Sequence, residues 1–292
     1  MTSQSTQGLI EELSRLGRLH VQVQRLIEAM PLGALAARGV QGGGDFVEHR
    51  AFRPGDEPAR VDWRASARSE RVLVREQRAE RRLMVHALID TSASMRTGEP
   101  VTKWRYGCWL GLAAAYCARR GGDSAELHGV AGAPSAKLRL RRIAELESVA
   151  DRFEALEPSG QTDLCAALAP LAELPDRGMA VIVSDLLSVD ERFWKQLAEL
   201  RSRGWHLAVM RVLAEDELTF AHTGPIRFTG LEGEEPLVVD AGALRQAYLE
   251  ELERFDAQCI EQAAFAGVRL IRCDTGSSPL EPLRSLLEGA ML

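Results

Sequence analysis

From Leu83 onward the chain alternates short, unbroken apolar runs with stretches of helical periodicity, and few folds accept that pattern. "LMVHALID" (83–90) and "MAVIVSD" (179–185) read as continuous apolar strands, buried on both faces of a sheet. Between and after them the spacing predicts helices over 103–119, 142–156, 163–173 and 190–203. "AELHGVAG", "AKLRLR", "HLAVMRVL" and "GVRLIRC" supply further strands, and a hairpin is expected over 226–239. Asp240 is placed to cap a long helix reaching about 265, and a last helix over 279–289 closes the chain. Strands and helices in this alternation call for a doubly wound, mainly parallel α/β sheet with helices on both faces. Such sheets carry their sites at the carboxyl ends of the strands. Asp90 and Asp185 stand at two such ends.

Two segments precede this domain of 83–292. Residues 8–30 carry Leu9, Leu13, Leu16, Leu19, Val23, Leu26 and Ile27 at helical spacing, which predicts one amphipathic helix stopped by "MPLG". With the glycine-rich connection after it, "ARGVQGGGDF", this forms an amino-terminal unit over 1–40. Residues 41–82 form an arginine-rich arm with ten arginines, a Pro-Gly-Asp turn and an edge-type strand in "RVLVREQ". Arg53, Arg60, Arg64 and Arg68 are candidate partner-binding residues, since guanidinium forks suit carboxylates and phosphates. The arm's arginines are more simply read as pairing with Asp56, Asp62, Glu70 and Glu76, with Trp63 as an apolar anchor.

Bulk properties narrow the function classes. The net charge of −6 gives no general reason to expect nucleic acid as a partner. No window of eighteen apolar residues marks a membrane span, and the amino terminus lacks the basic start and apolar core of a signal peptide. Cys108, Cys117, Cys165, Cys259 and Cys273 are odd in number and unpaired in spacing, as expected of reduced thiols in a cytoplasmic protein.

The candidate site begins with "DTSAS", where Asp90, Ser92 and Ser94 alternate at a strand end. Taken alone this is also a good helix start, because Asp and Ser are favoured caps. "SGQTDLCAAL" adds Thr162 before another helix, and "VIVSDLLS" adds Asp185. Three loops offering small oxygen ligands at one sheet edge suit Mg2+ or Mn2+, hard cations that take six oxygens in near-octahedral array. Neutral hydroxyl ligands would leave such a cation electrophilic toward a carboxylate from outside.

The set Asp90, Ser92, Ser94, Thr162 and Asp185 resembles the metal-ion-dependent adhesion site of von Willebrand factor A domains. "EHRAFRPGDEPARVDWRASARSERVLVREQ" resembles the segment placed before such a domain in the bacterial domain-of-unknown-function 58 family. The resemblance implies a von Willebrand factor A-like fold and a non-catalytic protein-binding module whose metal is completed by a partner's Asp or Glu. It also implies a MoxR-type AAA+ ATPase as partner. Many members carry membrane spans ahead of the shared segment; here the amino-terminal helix takes that place.

The residues agree on catalysis. No Ser-His-Asp pattern, HExxH, GxSxG or P-loop is present, and the histidines at 20, 49, 86, 128, 206 and 222 do not cluster at ligand spacing. His86 and His206, inside apolar strands, read as core or helix-facing residues. A Mg2+-dependent hydrolase at the same site is the alternative, and it would draw its general base from Asp163 or Asp185. A nucleic-acid binder working through the arginine arm is a weaker one.

Overall fold

In a computed structural model of the chain, residues 3–30, 47–53, 56–69, 71–77, 83–131, 133–221, 224–228 and 237–289 are described. Helices α1 (Ser3–Arg15) and α2 (Leu19–Ala29) come first. The arm contributes β1 (Val47–Ala51), the short helix α3 (Trp63–Ser66) and β2 (Leu73–Gln77). Then follow β3 (Met84–Asp90), α4 (Lys103–Arg120), β4 (Ser124–Ala131), β5 (Ala133–Leu140), α5 (Leu146–Glu154) and α6 (Leu164–Ala172). The chain continues through β6 (Met179–Ser184), α7 (Glu191–Ser202), β7 (His206–Leu213) and α8 (Glu215–Thr219). It ends with β8 (Pro225–Phe228), β9 (Leu237–Asp240), α9 (Ala241–Phe265), β10 (Arg269–Asp274) and α10 (Leu280–Gly289).

Six strands build one sheet in the order β10-β7-β6-β3-β4-β5. Every neighbouring pair is parallel except β4 with β5. The doubly wound, mainly parallel sheet is therefore present. From β3 the chain builds outward to β4 on one side and to β6 on the other. The crevice at the carboxyl ends of β3 and β6 is thus the switch point where such sheets hold ligands.

Side chains alternate across the sheet as strand geometry requires. Val85, Ala87 and Ile89 of β3 enter a core shared with α1, α2, α4, α5 and α10. Leu88 enters the opposite core, shared with α6, α7 and α9. Helix α4 lies so close to β3 that a Cβ on Gly111 would fall 2.4 Å from Ile89 Cδ1.

The predicted helix over 8–30 is in fact two, broken at residues 16–18. Periodicity cannot reveal the break, because both helices bury their apolar stripe in the same core: Leu13, Leu19 and Leu26 are each 0% exposed. Gln22 closes the joint. Its Nε2 donates to the carbonyls of Leu13 (2.8 Å), in the last turn of α1, and Leu16 (2.6 Å), just past it, and its Oε1 accepts from Trp109 Nε1 at 2.8 Å. The amino-terminal pair is thereby docked on α4. The stretch predicted as helix over 142–156 starts with a tight turn at Ile143–Glu145 before α5.

Other expectations resolve in kind. Asp240 caps α9 by accepting from Ala243 N at 3.0 Å. The hairpin expected over 226–239 is seen as the antiparallel β8/β9 pair, its tip lying outside the described residues. The glycine-rich connection near 38–46 also lies outside them. His206 is exposed at the start of β7 and not a core residue, whereas His86 is buried.

In the arm, β1 and β2 pair antiparallel. Trp63 is not its anchor: the side chain is 68% exposed, while Val61 and Val74 are buried. The reason is local. Asp62 turns the chain into α3, accepting from the N–H groups of Arg64 and Ala65, and also meets His49 Nε2 at 3.0 Å. Trp63, first residue of that turn, projects to solvent. Arg53, Arg64 and Arg68 are exposed, and the side chain of Arg60 lies outside the described residues.

Candidate functional site at the strand ends

β3 delivers Asp90 to the crevice with only 2% exposure, and three loops converge on its carboxylate. Oδ1 accepts from Ser92 N at 2.8 Å and from Thr162 Oγ1 at 2.5 Å. Oδ2 accepts from Ser184 Oγ at 2.5 Å, and that same hydroxyl accepts from Leu186 N. Burial raises the Asp90 pKa above the ordinary carboxylate range, against the pull of these hydrogen bonds, and the nearby charge of Asp185 adds to the rise.

The loops are bolted to one another through the backbone. Thr91 N donates to Val130 O, Ser159 N to Thr91 O and Ala93 N to Gly160 O, each at 2.8–2.9 Å. Gly160 has φ +64°, a left-handed conformation that a residue with a side chain adopts at a cost. Thr162 reaches Asp90 across 72 positions of sequence, and its hydroxyl also lies 2.7 Å from Val130 O. With one proton to give, Thr162 has a choice of two acceptors, and its lone pairs stay free for an electrophile. Asp163, and not Thr162, caps α6 by accepting from Ala166 N.

Ser92 Oγ and Ser94 Oγ lie 3.1 Å apart. Adjacent oxygens of an octahedral cation with bonds of ~2.1 Å sit about 3 Å apart. The donor set of Asp90, Ser92, Ser94 and Thr162 therefore fits a hard divalent ion. A cavity of about 350 Å³, lined by Thr162, Asp163, Cys165, Ser188 and Arg192 among others, opens beside it.

Asp185 is arranged differently. Its Oδ2 meets Lys103 Nζ at 2.8 Å, and its Oδ1 accepts from Leu187 N at 3.1 Å. The intervening Leu186 has φ +62° and is fully buried, so the turn that aims Asp185 holds a conformation unusual for a branched residue. Lys103, 0% exposed, also meets Glu217 Oε1 at 2.6 Å. Burial pulls the Lys103 pKa down, but the two carboxylates more than offset it, leaving the value raised.

Residues 48–258 match the family described as protein of unknown function DUF58. The chain belongs to that family. Uncharacterized proteins of Mycobacterium tuberculosis (strain H37Rv) and Mycobacterium bovis are 31% identical to it over 165 residues. That alignment covers 53% of this chain, which spans about half the length of the curated relatives it matches. Among solved structures, the DUF58 chain is similar to a conserved hypothetical protein BatB from Bacteroides thetaiotaomicron. That similarity has TM-score 0.47 and 14% identity, and covers 72% of this chain and 97% of that one. The von Willebrand factor A domain of SpRpn10 is similar at TM-score 0.37 and 11% identity, covering 70% and 93%. These scores lie below 0.5, so the fold of this DUF58 chain rests on its own sheet order. None of its described helices is long and apolar enough to cross a membrane.

Three participants escaped the sequence: Ser184, Lys103 and Glu217. Ser184 looked like one more strand residue. Lys103 carried a faint signal, since a lysine in the first turn of a helix opposes the helix dipole. Glu217 carried none, lying 114 positions from Lys103. The candidate arginines Arg53, Arg60, Arg64 and Arg68 belong to the arm and not to the strand-end cluster.

Proposed function

We propose that this DUF58 chain is a non-catalytic, divalent-metal-dependent protein-binding module that takes an acidic side chain of its partner. The partner suggested by the family resemblance is a MoxR-type AAA+ ATPase. The observation that carries the reading is the convergence of Asp90, Ser92, Ser94 and Thr162 on the sheet's switch point. These four residues would hold Mg2+ or Mn2+, which would supply an electrophilic position for an incoming carboxylate.

The charges support a divalent guest. The cluster gathers three carboxyl groups, Asp90, Asp185 and Glu217, around a single ammonium, that of Lys103. Asp185 acts from the side, held by Lys103 and contributing field to the site. The same contacts disfavour hydrolysis. As the base of a hydrolase Asp185 would have to give up Lys103, while Asp163 spends one oxygen on the cap of α6.

The test is affinity capture with the purified full chain on three columns: with Mg2+, with EDTA, and with Asp90→Ala in Mg2+. The reading expects an AAA+ ATPase retained on the first column alone. Equal retention on all three would remove the metal site from the contact. Metal-dependent turnover of phosphoesters would favour the hydrolase instead.

A further inference from the structure

We propose that His86, Glu126 and His128 form a second metal site, for an ion of the zinc class, on the sheet face beneath α6. The sheet register creates it. His86 pairs with Glu126 across β3 and β4, and His128 stands two residues further along β4, so all three side chains leave the sheet on the same face. His86 Nδ1 lies 3.3 Å from His128 Nε2 and 3.6 Å from Glu126 Oε2, and the last two atoms are 3.8 Å apart.

Those separations match the chemistry. Ligands around a tetrahedral ion with Zn–N and Zn–O bonds of ~2.0–2.1 Å sit about 3.3–3.4 Å from one another. Two imidazoles and a carboxylate select a borderline ion such as Zn2+ over Mg2+, so this site differs in kind from the oxygen cluster at Asp90. It is also distinct in place: His86 precedes Asp90 by four residues on one strand, a rise of about 13 Å.

His86 is a polar residue at 2% exposure, and among the described residues its Nε2, the ring nitrogen outside the trio, has no hydrogen-bond partner, so its polar contacts lie on the Nδ1 side alone. Its ring is held beside Trp205, with centroids 5.6 Å apart, and its Nδ1 is directed at the other two ligands. Burial also depresses the pKa of both histidines, so each presents a lone pair at neutral pH.

Three protein ligands leave a fourth position open. Beside the trio lies a cavity of about 410 Å³, walled by Met84, Val130, Leu171 and Leu174. Lys137 Nζ now provides the cation for Glu126, at 3.4 Å, but its side chain is 65% exposed and can withdraw into solvent. A bound ion would take over that role, with water or a small anion from the cavity completing the tetrahedron.

The test titrates the full chain with Zn2+ by calorimetry, and with Co2+ by visible absorption, in the wild type, His128→Gln, Glu126→Gln and Asp90→Ala. One zinc equivalent should bind wild type and Asp90→Ala alike. In the other two variants its affinity should fall by more than the roughly 10–100-fold typical of losing an outer-shell partner. Wild type should also give the intense visible bands of tetrahedral, nitrogen-ligated Co2+. Absence of those bands in the wild type overturns the proposal whatever the variants do. So does unchanged zinc affinity in either ligand variant with a native circular dichroism spectrum.

Discussion

Lys103 Nζ and Asp185 Oδ2 meet at 2.8 Å inside the protein, with both side chains almost wholly shielded from water. A buried ion pair adds little over a well-packed apolar pair, but removal of one partner leaves an uncompensated charge. Lys103→Met is therefore expected to lower stability by about 3–5 kcal/mol. The double variant Lys103→Met/Asp185→Asn should recover a substantial part. Urea unfolding of wild type, both singles and the double closes the cycle; additive losses would mean the pair is not coupled.

The strand-end cluster separates metal affinity from stability. Thr162→Val removes a hydroxyl proposed as a metal ligand and one of the donors to Asp90. Mg2+ affinity should fall by about tenfold or more, a loss of at least ~1.4 kcal/mol. Unfolding free energy should drop by only about 1–3 kcal/mol. Calorimetric titration of folded Thr162→Val with undiminished Mg2+ affinity would exclude the threonine as a ligand.

Gly111 sets how closely α4 approaches the sheet. An added Cβ would meet Ile89 Cδ1 at 2.4 Å and Cγ1 at 2.8 Å, with both residues buried. Gly111→Ala should gain helix propensity yet lose about 1–3 kcal/mol overall through overpacking. Ile89→Val in the same chain should relieve part of that loss, as thermal unfolding would show.

Gln22 joins three helices through one amide. Gln22→Leu keeps the volume but strands Trp109 Nε1 and takes a donor from the carbonyls of Leu13 and Leu16, the first of which still accepts from Leu16 N. A loss of about 1–3 kcal/mol is expected for such a buried, unpaired donor. Amide exchange should quicken in α1 and α2 before the sheet strands.

His86 carries a pH dependence of known sign. Burial, then the charge of His128, push its pKa to about 4, with Lys137 and Arg139 acting the same way and Glu126 opposing them. The unfolded chain thus binds the proton first as pH falls. The stabilising contribution is complete above about pH 6.5 and is lost as pH drops toward about 4, by up to about 3 kcal/mol. Denaturant unfolding in chelator should show this slope in wild type and a shallower one in His86→Leu.

Much of the molecule was legible locally. The runs ending at Asp90 and Asp185 announced strands buried on both faces, and Asp240 marked the start of a helix that does reach Phe265. What misled was equally local. The leucine spacing across residues 8–30 concealed a break at Gly17, because two helices docked on one core keep a common stripe. The histidines seemed scattered because 42 positions separate His86 from His128, and only strand register brings their rings within 3.3 Å.

Periodicity and neighbouring residues determined the order of strands and helices, the burial of the central strands on both faces, and the presence of Asp90, Ser92 and Ser94 on one strand-end loop. Tertiary structure decided which strands became neighbours. Placing β3 between β4 and β6 brings Thr162 and Ser184 onto Asp90 from 72 and 94 positions away, and sets Lys103 between Asp185 and Glu217. The hydrophobic pattern specifies that a strand is buried but not beside which strand. The site's hydrogen bonds and charges depend on those neighbours, and they arise only when the sheet closes in its observed order.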